Sequence, residues 1–371
     1  MNKSYRKLLF VVILVVIAAV YAVFLFSSKT DTSSLTNKTI TEISKDEKEL
    51  SEAIREIGVA RAMELLVEES KGGTIYDCHQ EAHDIGRTGY LEIKEKAFSE
   101  CDANCHSGCY HGAMEEFLAE KGTVNIAENV NSVCKLFDTS FGRFECLHGV
   151  GHGLMAYLNY DMEESILACK ELEDWFSTVS CYGGMFMENI LTGQGLGASK
   201  TGHTTTWLSD DPHFPCNGID SADYDLQYQC YQMQTSWMLE IYDYDFNKVA
   251  GECLNARDDM VNVCYRSYGR DAAGNSLRDP EKIVSLCSKV PESSSSYYRE
   301  CIIGGMNVIV DFWGPELKNQ ANELCALTPN EYKTACYKTL AERIKSLTNS
   351  PSKQREICST FESDYKDLCS V

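Results

Sequence analysis

Paired cysteines constrain the fold more than any other feature of this sequence. Seven pairs have separations of 11 to 14 residues, and their second members recur every 33 to 37 residues apart from one interval of 49. The pairs are Cys134/Cys146, Cys169/Cys181, Cys216/Cys230, Cys253/Cys264, Cys287/Cys301, Cys325/Cys336 and Cys358/Cys369. A period near 35 residues is typical of repeats built from two helices. The spacing therefore predicts a series of stacked helical hairpins.

Each repeat also has a local pattern. The first cysteine lies near the end of an apolar helical stretch, a polar turn follows, and the second cysteine begins the next helix, as at Cys325 and Cys336. A disulfide across such a turn would contribute about 3 kcal/mol in the chain-entropy account. The intervening segments have helical apolar spacing, and only 7 prolines interrupt the chain. We predict an all-α fold of disulfide-stapled, solenoid-like two-helix repeats.

In its period and its cysteine pairing, the segment 101–371 resembles α/α solenoids of the tetratricopeptide or Sel1-like kind. The residue consensus of neither family is present, so the resemblance implies an architecture and no function. A disulfide-rich helical bundle is the alternative. Four further cysteines fit no pair of this spacing, and for them we predict the bridges Cys101–Cys105 and Cys78–Cys109, one of three connectivities.

The N-terminus predicts a membrane anchor. Lys3, Arg6 and Lys7 precede an unbroken apolar run at 8–26, whose nineteen residues would span roughly 30 Å as a helix. Cations before such a run place the N-terminus in the cytoplasm and the rest of the chain outside, where disulfides persist. Cleavage near Ala22 would instead release a soluble secreted form.

These signals divide the chain into five segments. They are a cytoplasmic tip with a transmembrane signal anchor at 1–29, a stalk at 30–41, helical repeats with the histidines at 42–190, an insertion at 191–215 and disulfide-paired helical repeats at 216–371. Within the first set of repeats, residues 42–70 predict one amphipathic helix. The insertion is rich in Gly and Thr and contains His203 and His213. Long loops of this kind are often functional, so we expect a lid.

Six of the eight histidines lie between residues 79 and 152. When the repeats are aligned on their second cysteines, His111 of one unit falls at the position of His152 in the next. His148 and His152 are four residues apart, as are His79 and His83, so each pair shares one helix face. The aligned glycines are Gly108, Gly149 and Gly184. A glycine inside a helix costs about 1 kcal/mol, which indicates close helix approach or room for a bound group.

The pattern predicts a metal centre with histidine and carboxylate donors. The predicted metal ligands are His79, His83, His106, His111, His148 and His152. The predicted catalytic residues, as proton carriers, further ligands or a redox group, are Glu115, Glu188 and Tyr110. Nitrogen and oxygen donors suit non-heme iron or copper, and zinc is possible. With the cysteines oxidised, thiolates for an iron–sulfur cluster are not expected.

Other cofactors and partners are not favoured. No phosphate loop, hydrolase elbow or zinc-protease motif is present, so no nucleotide cofactor is expected. The segment from Cys101 to His106 is one residue longer than a c-type heme signature and occurs once, which argues against a heme. A net charge of −21 argues against nucleic-acid binding, because the phosphate backbone is held by Lys and Arg.

Two hypotheses of function remain. The first is a membrane-anchored extracytoplasmic metalloprotein, a redox enzyme that acts on a small molecule or with a redox partner protein. The second is a disulfide-stapled scaffold that binds another protein. In that case the histidines would store metal or form hydrogen bonds within a crowded, glycine-rich core.

Overall fold

A computed structural model describes residues 38–71, 78–196, 202–257, 259–313 and 319–369. The predicted membrane anchor and most of the predicted stalk lie outside these residues. Within the described part of the chain, no helix combines the length and the apolarity needed to cross a membrane. From Ile40 onward the chain forms one compact unit.

The described residues form seventeen α-helices and no β-strand, which confirms the predicted all-α fold. In chain order the helices are α1 Ile40–Ile43, α2 Glu47–Lys71, α3 His79–Ile93, α4 Ala97–Glu100, α5 Gly108–Lys121, α6 Ile126–Cys134, α7 Ser140–Tyr157, α8 Met162–Lys170, α9 Trp175–Gly193, α10 Tyr224–Ile241, α11 Phe246–Glu252, α12 Val261–Asn275, α13 Pro280–Cys287, α14 Ser295–Trp313, α15 Asn319–Leu327, α16 Asn330–Leu347 and α17 Pro351–Cys358. Short 3-10 turns lie at Lys94–Lys96, Cys216–Gly218, Cys253–Asn255 and Ser363–Cys369.

Side-chain caps explain why many helices begin where they do. The capping residues are Thr139, Asp161, Asp174, Asp245, Asp279 and Ser350. Each accepts a hydrogen bond from the backbone N–H three residues later, which satisfies a donor left free in the first helical turn. The polar turns between repeats therefore set the start of the following helix.

Nine disulfides use all eighteen cysteines. The seven predicted pairs are all confirmed. The prediction for the other four cysteines is wrong, because the bridges are Cys78–Cys105 and Cys101–Cys109. Residues 105–107 have left-handed φ angles of 53°, 51° and 57°, so the chain turns sharply between the two bridges. This turn brings Cys105 to Cys78 at the start of α3. Cys109, about one helical turn further along, is bonded to Cys101.

The single amphipathic helix predicted over residues 42–70 is also wrong. α1 ends at Ile43, α2 begins at Glu47, and Gly58 interrupts α2 with a φ of 81° and a ψ of 163°. Glycine adopts such a positive φ without steric cost. The N–H of the next residue, Val59, donates to Glu100 Oε2 at 3.0 Å and so has a partner outside its own helix.

Six long helices form a closed ring. Neighbours contact each other in the order α7, α9, α10, α12, α14 and α16, and α16 returns to contact α7. The closure includes a hydrogen bond of 2.5 Å from Asn349 Nδ2 to the carbonyl oxygen of Asp138. The guanidinium of Arg343 also lies 5.5 Å from the centre of the Phe141 ring. The repeats therefore curve until the last long helix contacts the first of the six. Before the ring begins, α3 packs on α5, and α5 packs on α7.

Glycines allow adjacent long helices to cross at short distance. A Cβ on Gly112 would lie 2.0 Å from the carbonyl oxygen of His83, and one on Gly184 would lie 1.8 Å from that of His148. No side chain fits at these crossings, so the close helix approach predicted at Gly184 is confirmed. These contacts hold the backbones of two histidines of the predicted site against the next helix.

Candidate metal centre

The six histidines predicted as ligands lie together in one cluster. His79 and His83 come from α3, His106 from the turn before α5, His111 from α5, and His148 and His152 from α7. Neighbouring ring centroids in the cluster are 4.7 to 5.8 Å apart. Four of the rings are buried, namely those of His83, His111, His148 and His152. Stacking of α3, α5 and α7 thus joins imidazoles that are up to 73 residues apart in the sequence.

The closest contact in the cluster joins two nitrogens of α3. His79 Nε2 lies 3.2 Å from His83 Nε2. On the other side of each ring, His79 Nδ1 is 2.9 Å from the carbonyl oxygen of Cys105, and His83 Nδ1 is 3.0 Å from Glu115 Oε1. These oxygens accept, so both Nδ1 atoms are the donors, and the second nitrogen of each ring, Nε2, faces that of the other. Two facing Nε2 lone pairs would need a proton or a metal ion between them.

The geometry of this pair suits a shared metal ion. Two nitrogens bound at about 2.1 Å to one tetrahedral ion lie roughly 3.4 Å apart. His111 supplies a third donor, because one ligand atom from each of His79, His83 and His111 lies within 4.8 Å of the other two. Three nitrogens of the cluster are buried and have no hydrogen-bond partner. They are His111 Nδ1, His148 Nδ1 and His152 Nε2. Unpaired buried polar atoms cost about 1–3 kcal/mol each, so a ligand for them is expected.

Three carboxylates orient histidines of the cluster, and each comes from the next long helix. This set of contacts is called the carboxylate ladder below. Its bonds are His83 Nδ1 to Glu115 Oε1 at 3.0 Å, His111 Nε2 to Glu145 Oε2 at 3.3 Å, and His152 Nδ1 to Glu188 Oε2 at 2.8 Å. Metal-bound histidines in proteins are commonly held in this way through the ring nitrogen that faces away from the metal. The ladder fixes which nitrogen each ring turns inward.

The ladder carboxylates differ in protonation. Burial raises the pKa of Glu115, but the charge of Arg87 and the contact with His83 outweigh it, so its pKa lies well below the usual range. Burial also raises the pKa of Glu188, but the hydrogen bond and the charge of His152 and the hydrogen bond from Tyr160 together outweigh it, so the pKa of Glu188 is lowered. Glu145 behaves differently, because burial raises its pKa to about 8 against the charge of Arg343. Two carboxylates are therefore ionised at neutral pH, and Glu145 is largely protonated.

Other pKa shifts keep part of the cluster neutral. Burial, followed by the charge of His79, lowers the pKa of His106 to about 3. Burial, followed by the charge of His152, also lowers the pKa of His111 and His148 well below the ordinary value. A histidine must be neutral to bind a metal ion. These three rings are therefore in the correct protonation state for ligation at neutral pH.

The predicted catalytic residues do not all adjoin the cluster. Glu115 and Glu188 belong to the ladder. The hydroxyl of Tyr110 instead donates to the carbonyl oxygen of Cys101 at 3.0 Å, and its ring packs edge-on against Phe137 with centroids 4.9 Å apart. The phenol that contacts the ladder is Tyr160, whose hydroxyl donates to Glu188 Oε1 at 2.5 Å.

Sequence analysis missed three residues of the site. Glu145 precedes His148 by three residues and His152 by seven, so its position on the same helix face was a usable signal. Arg87 follows His83 by one helical turn and donates to Glu115 Oε2 at 2.5 Å. Tyr160 lies in a turn with a φ of 62°, where no helical periodicity could have indicated its role.

The described part of the insertion reaches this site through two residues. Thr192, at the end of α9, donates through Oγ1 to Glu188 Oε1 at 3.1 Å. The ring of His203 lies 5.6 Å from that of Tyr160. His213 lies elsewhere, where its Nε2 is 3.1 Å from Glu252 Oε1 and its Nδ1 is 3.2 Å from the hydroxyl of Tyr231. Of the two insertion histidines, His203 is therefore the one placed beside the carboxylate ladder.

No protein-family model, no curated protein and no solved structure matches this chain. Its function is therefore argued from the site, because a fold alone does not determine an activity.

Proposed function

We propose that this chain is a membrane-anchored extracytoplasmic metalloprotein, and that its histidine cluster binds a transition metal ion for redox chemistry on a small molecule. Iron or copper is the proposed metal, and zinc is compatible with the same donors. One observation carries the proposal. His79 Nε2 and His83 Nε2 face each other across 3.2 Å while both Nδ1 atoms already donate to oxygens.

A metal ion accounts for this contact better than a shared proton. A proton between the two nitrogens would still leave Nδ1 of the third histidine, His111, buried and without a partner. It would also add a charge to a site where burial already lowers the pKa of neighbouring histidines. Three neutral nitrogens bonded to one cation would offset the cost of burying that charge.

The residues around the cluster suit redox chemistry. An iron or copper ion supplies one-electron chemistry when bound, with imidazole as a ligand common to both. Met187 lines the cavity beside His148, and thioether sulfur is a ligand that reduced copper favours. We propose for Tyr160 the role first predicted for Tyr110, because its hydroxyl donates to Glu188, and Glu188 in turn accepts from His152, so two hydrogen bonds connect Tyr160 to that histidine.

The test measures metal in the purified full-length protein after expression in an oxidising compartment. We expect at least one tightly bound iron or copper ion per chain by elemental analysis. His83→Ala should lose it, because the variant removes one of the two facing nitrogens. His213→Ala is the matched control, since His213 is also buried and hydrogen-bonded to a glutamate but lies outside the cluster.

Two results would overturn the proposal. One is a folded protein without stoichiometric transition metal after incubation with iron, copper or zinc. The other is equal metal content in the wild type and His83→Ala. Either result would leave the scaffold hypothesis, in which these histidines are structural.

A further inference from the structure

The closed ring of helices surrounds a cavity of about 220 Å³. Each of the six ring helices contributes to its wall, as does the turn that carries His106. The cavity therefore depends on residues from both halves of the chain. Its size suits a small molecule, and its wall includes two histidines of the proposed metal centre, His106 and His148.

Three arginines line this cavity, although the chain as a whole has a net charge of −21. They are Arg266 and Arg270 from α12 and Arg343 from α16. The acidic side chains of the wall are Glu145 and Asp311. A concentration of guanidinium groups in an acidic protein indicates a site for an anion, because arginine pairs with carboxylate and phosphate groups through two hydrogen bonds.

Two of these guanidinium groups have unused donors. Arg270 donates through Nη2 to Ser236 Oγ at 2.6 Å and lies 2.9 Å from Asp271, but its Nε is buried without a partner. Arg343 donates through Nη2 to Asp311, and its Nε is also buried without a partner.

Arg266 provides an internal comparison. It donates through Nε to Glu300 at 2.8 Å and through Nη1 to the hydroxyl of Tyr228 at 2.8 Å. Its side chain is therefore held in place by the protein itself. Arg270 and Arg343 differ because the Nε of each guanidinium is buried without a partner, so the protein leaves part of each group's hydrogen-bonding capacity unused.

The cavity and the histidine cluster share His148. Its Nδ1 is buried without a partner, and its ring lies 5.3 Å from that of His111 and 5.1 Å from that of His152. A molecule in the cavity would therefore lie beside the proposed metal ligands. The guanidinium groups of Arg270 and Arg343 and the imidazole of His148 all belong to the same wall.

We infer that the ring cavity binds the small-molecule substrate through an oxyanion group, a carboxylate or a phosphate, held by Arg270 and Arg343. This inference rests on the proposed function, because it assigns a substrate class to the same site. The arginines would fix the charged end of the molecule and leave its other end facing His148.

The test is calorimetric titration of the purified full-length protein with succinate and, separately, with inorganic phosphate. Wild type should bind one of them with a stoichiometry near one, and the anion that binds identifies the oxyanion group. Arg270→Gln should weaken that binding about tenfold to hundredfold, as expected for loss of a charge-assisted hydrogen bond. Arg55→Gln is the control, because it removes an arginine that pairs with Glu92 on the exposed surface.

The melting temperature of Arg270→Gln must match that of the wild type, so that a loss of anion binding does not reflect unfolding. Arg343→Gln serves as the second variant, although Arg343 also contacts Phe141 at the closure of the ring. The inference is overturned if neither anion binds, or if Arg270→Gln binds as tightly as the wild type. Metal analysis of the same samples separates the two proposals. Intact metal without anion binding overturns only this inference, whereas anion binding without metal overturns only the proposed function.

Discussion

His83 and Glu115 lie on successive long helices, and the imidazole donates through Nδ1 to Oε1 of the carboxylate over 3.0 Å. A contact between a histidine and a glutamate of the next long helix recurs twice along the chain, at His111 with Glu145 and at His152 with Glu188. The three pairs of the carboxylate ladder are separated by 32, 34 and 36 residues, close to the cysteine period. One repeat therefore supplies a histidine and the next supplies the group that orients it, so the stacking of repeats also selects the inward-facing nitrogen.

Glu115→Gln should lower metal affinity about tenfold to hundredfold, the usual effect of changing a residue that orients a metal-bound histidine. The amide can still accept from His83 Nδ1, but it lacks the negative charge that strengthens that bond. Competition with a chelator of known affinity measures the change. The control is Glu173→Gln, which removes an exposed glutamate paired with Lys135. Unchanged affinity in a folded Glu115→Gln protein would contradict a metal centre at this position.

Glu145→Gln should stabilise the metal-free protein at alkaline pH. The folded-state pKa of Glu145 is raised to about 8 from an ordinary value of 4.5, so the folded state binds this proton more tightly. In the wild type, the contribution of this group to the free energy of unfolding is fully present below about pH 4.5 and is lost as pH rises through 8. Above pH 8 the amide should therefore be more stable than the wild type by a few kcal/mol.

Urea unfolding of chelator-treated protein at pH 5 and pH 9 measures this difference. Glu188→Gln is the control with the opposite sign, because the folded-state pKa of Glu188 is lowered. Its ionised form stabilises the protein above its unfolded-state pKa, so the amide should destabilise at both pH values. Equal stability of Glu145→Gln and the wild type across this range would refute the assignment of a buried, protonated Glu145.

Most of the local structure could be predicted from the sequence because it depends on short spacings. Seven disulfides follow from pairs 11 to 14 residues apart, and the histidine cluster follows from alignment of repeats. The connectivity of Cys78, Cys101, Cys105 and Cys109 did not follow. It depends on a left-handed turn at residues 105–107, and no glycine marks that turn before Gly108.

Closure of the ring also lay beyond sequence reasoning. It depends on the small rotation between each repeat and the next, which accumulates over six helices and has no signature in residue spacing. Asn349 and Asp138, for example, form their hydrogen bond across 211 residues. The cavity forms only when the ring closes, and closure brings its arginines together. Arg270 and Arg343 could therefore be recognised as parts of one site only in the structure.

Gly112→Ala should destabilise the protein by about 1–3 kcal/mol or more, because the new Cβ would lie 2.0 Å from the carbonyl oxygen of His83. The helices α3 and α5 would have to move apart, which also separates His83 from His111. Gly251→Ala is the matched control, since its Cβ would meet no atom within 4 Å. That helical substitution should stabilise by about 0.5–1 kcal/mol. Thermal unfolding of both variants measures the contrast, and similar melting temperatures would contradict tight packing at Gly112.

The disulfide Cys78–Cys105 should support the proposed metal centre more than any bridge in the C-terminal half. Cys78 precedes His79 directly, and the carbonyl oxygen of Cys105 accepts from His79 Nδ1. The double variant Cys78→Ser with Cys105→Ser removes a cross-link over 27 residues, worth about 3.5 kcal/mol in the chain-entropy account. It releases the start of α3 from the turn before α5, so metal affinity should fall at least tenfold.

The control is Cys358→Ser with Cys369→Ser, which removes the last bridge of the chain. It should lower the melting temperature while metal affinity stays within twofold of the wild type. Peptide mapping of unreduced wild-type protein verifies the connectivity, and peptides joined as Cys101–Cys105 would show that the described turn is incorrect. If both double variants lose metal equally, the effect reflects general destabilisation, and the Cys78–Cys105 bridge has no particular role in positioning His79.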